Sequence, residues 1–593
     1  MRASSETMIW RYNVVGMLFG FVALMIVAQI LRIQLSPQAH TFREQGDIYA
    51  GEWRTVKPAR GLIYDRWGNL LAGNQTVYEL GVELKDVRNP ETIAFTLMGV
   101  LKADYDRIYA AASRKYSLDP EKPAVYAVLA NNVTEEQKAR IESMAKEIAN
   151  QPVGRDQTPP SLRGLVFRPT LKRSYPEEEM ASNILGFVND EGVGFGVEAK
   201  FNDLLAGTVQ KIWVPLDPNR VEEVPEVASG SSLVLTIDRE IQSAMEKLLD
   251  EAIEESGSDG GVILVADPQT GEILAMATTP RLDLNNFGDY ARVFPGSTPF
   301  NKAVSQAYET GSVFKVLTMA AALDSGAVTL DTVFVDTGIF ELGGIYIYNW
   351  NSGAWGPQDM TGCMRHSLNV CLAWVAAELT PSRFYSYMQA FGFGRLTGIE
   401  IAGEDPGRLK MPGDQDWYDA DLATNSFGQG LSATTIQMVM AISSLANDGK
   451  MMAPHIVRSL VNNGRQYNTS PQVVGLPVSV ETAHTITEML AESLETESSD
   501  ALVDGYRVAG KTGTAEIPTP YGYTSNMTNA SFVGWGPVDD PRFLVYVWLE
   551  KPMTSPWGSV VAAPVFRQAA ERLVVLMNIP PDHVREELGV ANR

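Results

Sequence analysis

Three short motifs in the second half of the chain combine hydroxyl, amine and amide side chains that could carry chemistry. The first motif is Ser312-Val-Phe-Lys315, which runs into an apolar stretch of helical character. Residues three apart share one helix face at about 5–6 Å, so the serine hydroxyl and the lysine amine can approach each other. A lysine removed from water loses its proton more readily and could then activate the serine. The spacing alone is a weak signal, because Ser143 and Lys146 repeat it in a polar stretch that is expected to be a solvated helix face.

The second motif is Ser367-Leu-Asn369. A hydroxyl and an amide two residues apart can point into one cleft, where the first relays a proton and the second holds a backbone carbonyl. The same side chains could instead cap the following helix by accepting hydrogen bonds from its free N–H groups. The motif by itself leaves both interpretations open.

The third motif is Lys511-Thr512-Gly513-Thr514. The glycine allows a substrate to approach the backbone closely, and the lysine and threonine side chains can bind a carboxylate. A strand edge at this position could also pair with a peptide main chain. The simpler alternative is a glycine-rich turn with one exposed lysine.

Two rival chemistries are disfavoured. Residues 505–512 fit the phosphate-loop expression GxxxxGK[ST], but such a loop needs an apolar strand before it and a helix after it. Residues 495–500 are polar, and Pro518 and Pro520 oppose a long helix. A histidine-based triad lacks a Gly-x-Ser-x-Gly elbow, so lysine is the expected base if a serine is the nucleophile.

Length, net charge and composition restrict the kinds of protein that this chain can be. The 593 residues predict about three or four globular units, and the net charge of −23 opposes binding of nucleic acid. The five histidines and two cysteines are not clustered at metal-ligand spacing, so neither a metal nor another cofactor is expected. Cys363 and Cys371 bracket the second motif; on one helix they would lie about 12 Å apart, too far for a disulfide, and free thiols are expected.

The remaining elements provide an anchor and a mixed fold. Val14–Leu31 is apolar and uncharged, and its length of ~27 Å suits a membrane-spanning helix better than a cleaved signal peptide. After a boundary near residues 228–230, the pattern predicts an α+β unit whose antiparallel sheet closes late in the chain. Its strands are expected at 232–237, 262–266, 273–277, 530–536 and 543–549, and its helices at 238–256, 313–323, 368–379 and 434–446.

Together and in this order, the motifs S-x-x-K, S-x-N and K-T-G resemble the signature of penicillin-binding proteins and serine β-lactamases. Most of the chain resembles the class B penicillin-binding proteins, the monofunctional peptidoglycan D,D-transpeptidases. The segments that carry this wider resemblance are Arg60–Ala72, Arg173–Pro176, Leu185-Gly186, Gly196–Glu198, Leu235–Asp238, Gly428–Gly430 and Phe532–Gly534. Thr310 and Val313 stand where the family often has proline and threonine, and neither change removes a reacting group.

The resemblance implies a domain order and a location. It implies a cytoplasmic tail at 1–13, a transmembrane helix at 14–31, a β-rich pedestal or dimerisation domain at 32–227, a transpeptidase domain at 228–576 and a C-terminal tail at 577–593. The catalytic domain would lie outside the cell membrane, anchored by this single pass. A SEDS-type glycan polymerase is the implied protein partner.

It also implies roles for the first two motifs. Ser312 would attack the penultimate D-Ala carbonyl of a peptidoglycan stem peptide that ends in D-Ala-D-Ala, with Lys315 as general base. Ser367 would pass the proton to the departing D-Ala, and Asn369 would orient the peptide and Lys315. β-Lactam antibiotics would acylate the same serine.

For the third motif, the resemblance implies binding of the substrate's terminal carboxylate. Lys511 would supply positive potential, Thr512 and Thr514 would hold the carboxylate, and Gly513 would allow close approach. The backbone N–H groups of Ser312 and Thr514 would form the oxyanion hole.

Two alternatives stay open at the level of sequence. A β-lactamase would be expected to carry a Glu-x-x-Leu-Asn deacylation motif, which the chain lacks, and would not be expected to carry an anchor and a pedestal. The second alternative is a catalytically silent penicillin-binding receptor or scaffold of the wall machinery.

Overall fold

A computed structural model describes residues 6–36, 51–119, 122–150, 159–189, 192–215, 227–519 and 522–589. They divide into two compact units, the first drawn from Met1–Ala59 and Gly207–Ser229 and the second from Arg60–Ala206 and Gly230–Arg593. Both the predicted pedestal and the predicted transpeptidase domain contribute to the second unit. The domain limits given above therefore stay predictions.

The first unit contains a long helix and a two-stranded ribbon. The helix spans Glu6–Gln34, and its portion Trp10–Gln34 is long and apolar enough to cross a membrane, with its side chains exposed. The ribbon pairs Gly51–Val56 with Gln210–Pro215 in antiparallel register. The predicted transmembrane segment thus falls within one continuous helix.

A five-stranded antiparallel sheet forms the centre of the second unit and confirms the predicted α+β class. Its first two strands form the predicted hairpin across residues 267–271, and three strands from the end of the chain complete it. The strands lie in the order Ala509–Thr519, Gly522–Gly536, Phe543–Glu550, Gly260–Ala266 and Ile273–Thr278. Ala509–Thr519 lies at one edge of this sheet, and we call it the edge strand.

Both faces of this sheet are covered, which explains the unbroken apolar runs of its strands. Successive residues of a strand point to opposite faces, and Ile263 and Val265 pack in a core with the helices Arg239–Ser256 and Ala563–Leu576. The intervening Val262 and Leu264 join the larger core on the other face. The helices whose residues contribute to that larger core include Lys315–Asp324, Met360–Arg365, Asn369–Leu379, Pro381–Ala390, Thr435–Ser443 and Val480–Thr496.

A second sheet of seven strands joins segments that are distant in sequence. Ile63–Tyr64 pairs in parallel with Ser232–Leu235. The order is Arg465–Asn468, Val457–Asn462, Ser232–Leu235, Ile63–Tyr64, Leu70–Glu83 and Tyr126–Val133, with Leu165–Ser174 also paired to Leu70–Glu83. The helices Pro90–Leu101, Tyr105–Ala112 and Glu135–Ala149 add a separate small core beside it.

A buried carboxylate ties three of the sequence segments together. Glu198, 1% exposed, accepts from Arg60 Nε and Arg173 Nε at 2.6 Å each. A buried carboxylate needs this kind of pairing to offset its desolvation. The arrangement explains why arginine and glutamate recur in the segments that resemble pedestal motifs.

Short elements complete the second unit. The helices are Ser182–Leu185, Gly196–Lys200, Asn202–Ala206, Tyr290–Val293, Lys302–Ser305, Asp419–Asn425, Gly558–Val561 and Asp582–Glu587, with 3-10 turns at Leu284–Asp289 and Gly311–Phe314. Three ribbons pair Phe334–Asp336 with Gly356–Gln358, Ile339–Leu342 with Ile345–Tyr348, and Met451–Met452 with Val473–Gly475.

Candidate active site

The first motif places a hydroxyl on a buried support. Ser312 lies in the 3-10 turn Gly311–Phe314, which we call the serine turn, and the helix Lys315–Asp324 follows directly. From Gly311 to Ala322 every residue is buried except Ser312, which is partly exposed. The packed neighbours hold the turn in place and leave the serine accessible.

Glycines allow the serine turn to approach the edge strand and a neighbouring loop. Gly311 has φ +62°, and a Cβ there would lie 2.6 Å from Thr514 O. A Cβ on Gly428 would lie 2.3 Å from Gly311 O. Side chains at these two positions would push the serine turn away from its support.

Lys315 joins the first motif to the second. Its Nζ donates to Ser367 O at 2.6 Å and to Asn369 Oδ1 at 2.7 Å, and it lies 3.2 Å from Ser367 Oγ. Burial, with a smaller contribution from the positive charge of Lys511, lowers the pKa of Lys315 well below its ordinary value. A neutral amine has two N–H donors, which these two oxygens satisfy, and it keeps a lone pair to accept a proton.

The second motif occupies a turn between two helices, Met360–Arg365 and Asn369–Leu379. Ser367 has φ +52°, and the N-cap of the following helix is Leu368, which has no side-chain cap bond. The capping interpretation of this motif is therefore wrong. Asn369 Nδ2 donates to Tyr348 O at 3.1 Å, which fixes the amide with its oxygen toward Lys315.

The expectation of free thiols is wrong, because Cys363 and Cys371 form a disulfide with Cα atoms 6.1 Å apart. The expectation assumed one continuous helix through both residues. The helix in fact ends at Arg365, and the turn at Ser367 brings the next helix back beside the first. The bond encloses the whole second motif.

The third motif lies on the edge strand and packs against the serine turn. A Cβ on Gly513 would lie 2.9 Å from Val313 Cγ1 and 3.2 Å from Thr310 O. Among the described residues the edge strand has a sheet partner on one side only, so its outer side can pair with a peptide. A strand at Ala509–Thr519 also rules out the phosphate loop, which requires a helix there.

Side chains of the third motif alternate about this strand. Lys511 and Gly513 are buried, whereas Thr512 and Thr514 are partly exposed. Burial lowers the pKa of Lys511 to about 8, and the Glu497 carboxylate opposes this shift. Thr514 Oγ1 accepts a hydrogen bond from Gly558 N at 3.1 Å, which leaves the hydroxyl proton free to donate elsewhere.

The structure separates the two S-x-x-K copies. Ser143 and Lys146 are exposed on the helix Glu135–Ala149, as expected for a solvated face. Lys315 is fully buried and contacts the second motif. The environment of the lysine, which spacing does not encode, distinguishes the candidate base from the chance match.

Sequence reasoning missed the groups that support the motifs. His366 Nδ1 lies 3.2 Å from Glu497 Oε1, and its ring stacks on Trp355 at 4.1 Å. These residues meet only after folding, and no spacing rule indicates them. Glu497 therefore contacts the residue before Ser367 and acts electrostatically on Lys511.

Comparison with known families identifies two domains in the chain. Residues 261–571 match the model of the penicillin-binding protein transpeptidase domain, and residues 55–193 match the penicillin-binding protein dimerisation domain. The chain belongs to the class B penicillin-binding proteins. In this penicillin-binding protein all three motifs fall within the span of the transpeptidase model.

Relatives cover most of this penicillin-binding protein. It is 32% identical over 523 residues to the stage V sporulation protein D of Bacillus subtilis, covering 86% of this chain and 77% of the relative. It is 28% identical to the probable peptidoglycan D,D-transpeptidase PbpC of Pseudomonas aeruginosa, over 100% of this chain and 99% of the relative. The fold is similar to penicillin-binding protein 3 of Mycobacterium tuberculosis complexed with aztreonam, with a TM-score of 0.66, 24% identity, and coverage of 89% and 98%.

We expect the disulfide to hold the second motif in place. Replacing both Cys363 and Cys371 with alanine removes a constraint on a short loop and should lower the free energy of unfolding by about 2–3 kcal/mol. It should also slow acylation by a fluorescent penicillin, because the Ser367 turn is released. Urea unfolding and labelling kinetics measure the two effects.

The matched control is chemical reduction. A reductant should slow labelling of the native protein and leave the double variant unaffected. Equal stability and equal labelling rates for the oxidised native protein and the double variant would contradict the positioning role.

Proposed function

We propose that this peptidoglycan D,D-transpeptidase works through an acyl-enzyme on Ser312. The observation that carries the proposal is the buried amine of Lys315, held by Ser367 O and Asn369 Oδ1 beside the serine turn. Because burial keeps this amine neutral, it can accept the serine proton at the pH of the cell surroundings. Family membership supports the same reaction class, acyl transfer between stem peptides in cell-wall synthesis.

The first half of the reaction forms the acyl-enzyme. The Ser312 oxygen bonds to the penultimate D-Ala carbonyl while Lys315 accepts the serine proton. The carbonyl oxygen becomes an oxyanion, which the N–H groups of Ser312 and Thr514 stabilise, each contributing about 3 kcal/mol. The C–N bond then breaks, and the proton passes through Ser367 to the nitrogen of the departing D-Ala.

The second half transfers the acyl group. The amine of a neighbouring stem peptide attacks the ester and loses a proton through the same hydroxyl and amine groups, and the Ser312 oxygen recovers its proton. The new amide is the cross-link. Asn369 orients the donor peptide in both halves, because Tyr348 O and Lys315 Nζ fix its amide group.

The third motif binds the end of the donor. The ammonium of Lys511 attracts the terminal carboxylate, and Thr512 and Thr514 hold it, with the free hydroxyl proton of Thr514 available to donate. Gly513 acts indirectly, because the lack of a side chain keeps the edge strand close to Val313 and Thr310 at the serine turn. A β-lactam presents an anionic group and a reactive amide at similar positions, and the aztreonam complex of the M. tuberculosis relative supports binding of such compounds here.

We also infer a single-pass membrane protein with its catalytic unit outside the cytoplasm. The exposed apolar helix Trp10–Gln34 supports the anchor. The location of peptidoglycan outside the membrane supports the orientation. Family membership supports a SEDS-type glycan polymerase as the partner that supplies the glycan strands.

Labelling with penicillin tests the nucleophile. Mass spectrometry of the digested adduct should find the penicilloyl group on Ser312, and Ser312→Ala should abolish labelling because Ser312 supplies the accessible hydroxyl of the serine turn that precedes Lys315. Ser143→Ala, from the exposed copy of the motif, should label as the native protein does. Rapid loss of the adduct would indicate a β-lactamase, and no adduct would indicate a silent scaffold.

The pH dependence of acylation tests the third motif. Carboxylate binding needs charged Lys511, so the acylation rate should be retained below its pKa and fall as the pH rises through about 8. Lys511→Arg stays charged in this range, and its profile should lack the alkaline fall whatever its absolute rate. An alkaline fall of equal midpoint in both proteins would contradict this role of Lys511.

A further inference from the structure

A buried pair of tyrosines ties the chain before the serine turn to the five-stranded sheet. Tyr308 lies four residues before Ser312 and is 7% exposed. Tyr546 lies on the strand Phe543–Glu550 and is fully buried. The two hydroxyl oxygens are 2.8 Å apart, the usual distance of an O–H···O hydrogen bond. We call this contact the phenol bond; the mechanism proposed above uses neither tyrosine.

The ring of Tyr308 rests on the same strand. It stacks on Trp548, with the ring centroids 4.1 Å apart and the planes at 6°. Burial of apolar rings is favourable but non-directional, so it leaves one ring able to slide over the other. The phenol bond is directional, and it fixes where the Tyr308 ring stands along the strand.

This strand is in register with the third motif. Trp548 lies opposite Ser531, and Ser531 lies opposite Gly513 of the edge strand. Neighbouring strands of a sheet keep a spacing of about 4.8 Å, so the sheet holds these three residues at set distances. Tyr308 therefore takes its position from the same row of the sheet as Gly513.

The backbone between Tyr308 and Ser312 is held by a neighbouring loop. Tyr308 exchanges both backbone hydrogen bonds with Ala433, at 3.1 and 3.0 Å, and Gly311 N donates to Gly428 O at 3.0 Å. These bonds join the segment to a loop and not to the sheet, so segment and loop can shift together. The phenol bond adds a directional contact with the sheet, and a displacement of Tyr308 is passed on to the N–H of Ser312.

We infer that Tyr308 is a positioning residue for the oxyanion hole, with Tyr546 as its partner. This rests on the proposed function, in which the N–H groups of Ser312 and Thr514 stabilise the oxyanion. Tyr308 places the first of these donors and the row of Gly513 places the second, so the phenol bond sets the distance between them. Burial raises the pKa of both phenols, so both stay protonated and the bond is present at neutral pH.

Infrared spectroscopy of the acyl-enzyme tests this directly, because N–H donors lower the stretching frequency of the ester carbonyl that they contact. The probe is penicillin G with carbon-13 at the β-lactam carbonyl, bound to the full chain. Tyr308→Phe keeps the ring and removes the phenol bond. Its carbonyl band should move to higher wavenumber, toward that of the denatured acyl-enzyme. Acylation at saturating penicillin should slow by about three- to tenfold, with the half-saturating concentration unchanged.

Tyr546→Phe removes the same bond from the other side. Its carbonyl band should shift as that of Tyr308→Phe does, and the double variant should show no further shift. Stability should behave differently, because each single variant leaves one buried hydroxyl without this partner and the double variant leaves neither. The double variant should therefore unfold at a temperature no lower than either single variant. A purely structural role would make the band position follow stability.

Tyr175→Phe is the matched control. Tyr175 is 4% exposed, and its hydroxyl lies 3.5 Å from Glu198 Oε1, outside the three motifs. The substitution removes a buried phenol hydroxyl that has no contact with the serine turn or the edge strand. It should leave the carbonyl band unchanged, whatever its effect on stability.

An unmoved band in folded Tyr308→Phe, or further movement in the double variant, would overturn the inference. A band that also shifts in Tyr175→Phe would do the same, since any loosening of the core would then suffice. Thermal unfolding identifies the folded variants. If penicillin forms no adduct with the native protein, the proposed function fails; if the adduct forms and its carbonyl band never moves, only the positioning role of Tyr308 fails.

Discussion

The chemistry of this protein depends on one buried amine. Lys315 is buried between the serine turn and the larger core. Its Nζ donates to the carbonyl of Ser367 and to the amide oxygen of Asn369. Water would favour the ammonium ion, and burial favours the neutral amine. The positive charge of Lys511 lowers the pKa of Lys315 further, because two positive charges in one cleft repel each other. The pKa is lowered more for Lys315 than for Lys511, so Lys315 loses its proton first. One lysine thereby becomes a base and the other keeps its charge for a carboxylate below its pKa.

The surrounding fold can be understood as the means of burying that amine beside an open strand edge. The five-stranded sheet is covered on both faces, so its strands Gly260–Ala266 and Phe543–Glu550 carry unbroken apolar runs. Its edge strand stays available for a peptide and lies against the serine turn through the close approaches at Gly311 and Gly513. The disulfide and the turn at Ser367 place the second motif on the remaining side of the amine.

Local patterns predicted much of this from sequence. The helix Arg239–Ser256 begins after its capping aspartate, Asp238, and the hairpin around residues 267–271 follows its turn residues. The three motifs were identified by residue type and order. Each motif lies within one short element or tight turn, or where a turn runs into a helix, so local spacing carries information about it, and the roles of its residues stay predictions.

Other features depend on contacts that sequence patterns do not encode. The expectation of free thiols assumed one helix through both cysteines, whereas the chain turns at Ser367 and brings them together. The pairing of Ile63–Tyr64 with Ser232–Leu235 joins strands separated by much of the chain. Tyr348 contributes only a backbone carbonyl, and Glu497 approaches Lys511 through tertiary packing. Such groups carry no signature of type or spacing.

The protonation state of Lys315 can be observed directly. In protein labelled with carbon-13 at the lysine ε-carbons, the NMR signal that is lost in Lys315→Ala should show the chemical shift of a neutral amine at neutral pH in the ligand-free enzyme. The signal of the exposed Lys85, whose pKa is raised by its hydrogen bond to Glu83, should remain that of an ammonium group. A Lys315 signal that stays in the ammonium form until the ordinary pKa of lysine would contradict the account, because the serine would then lack its base.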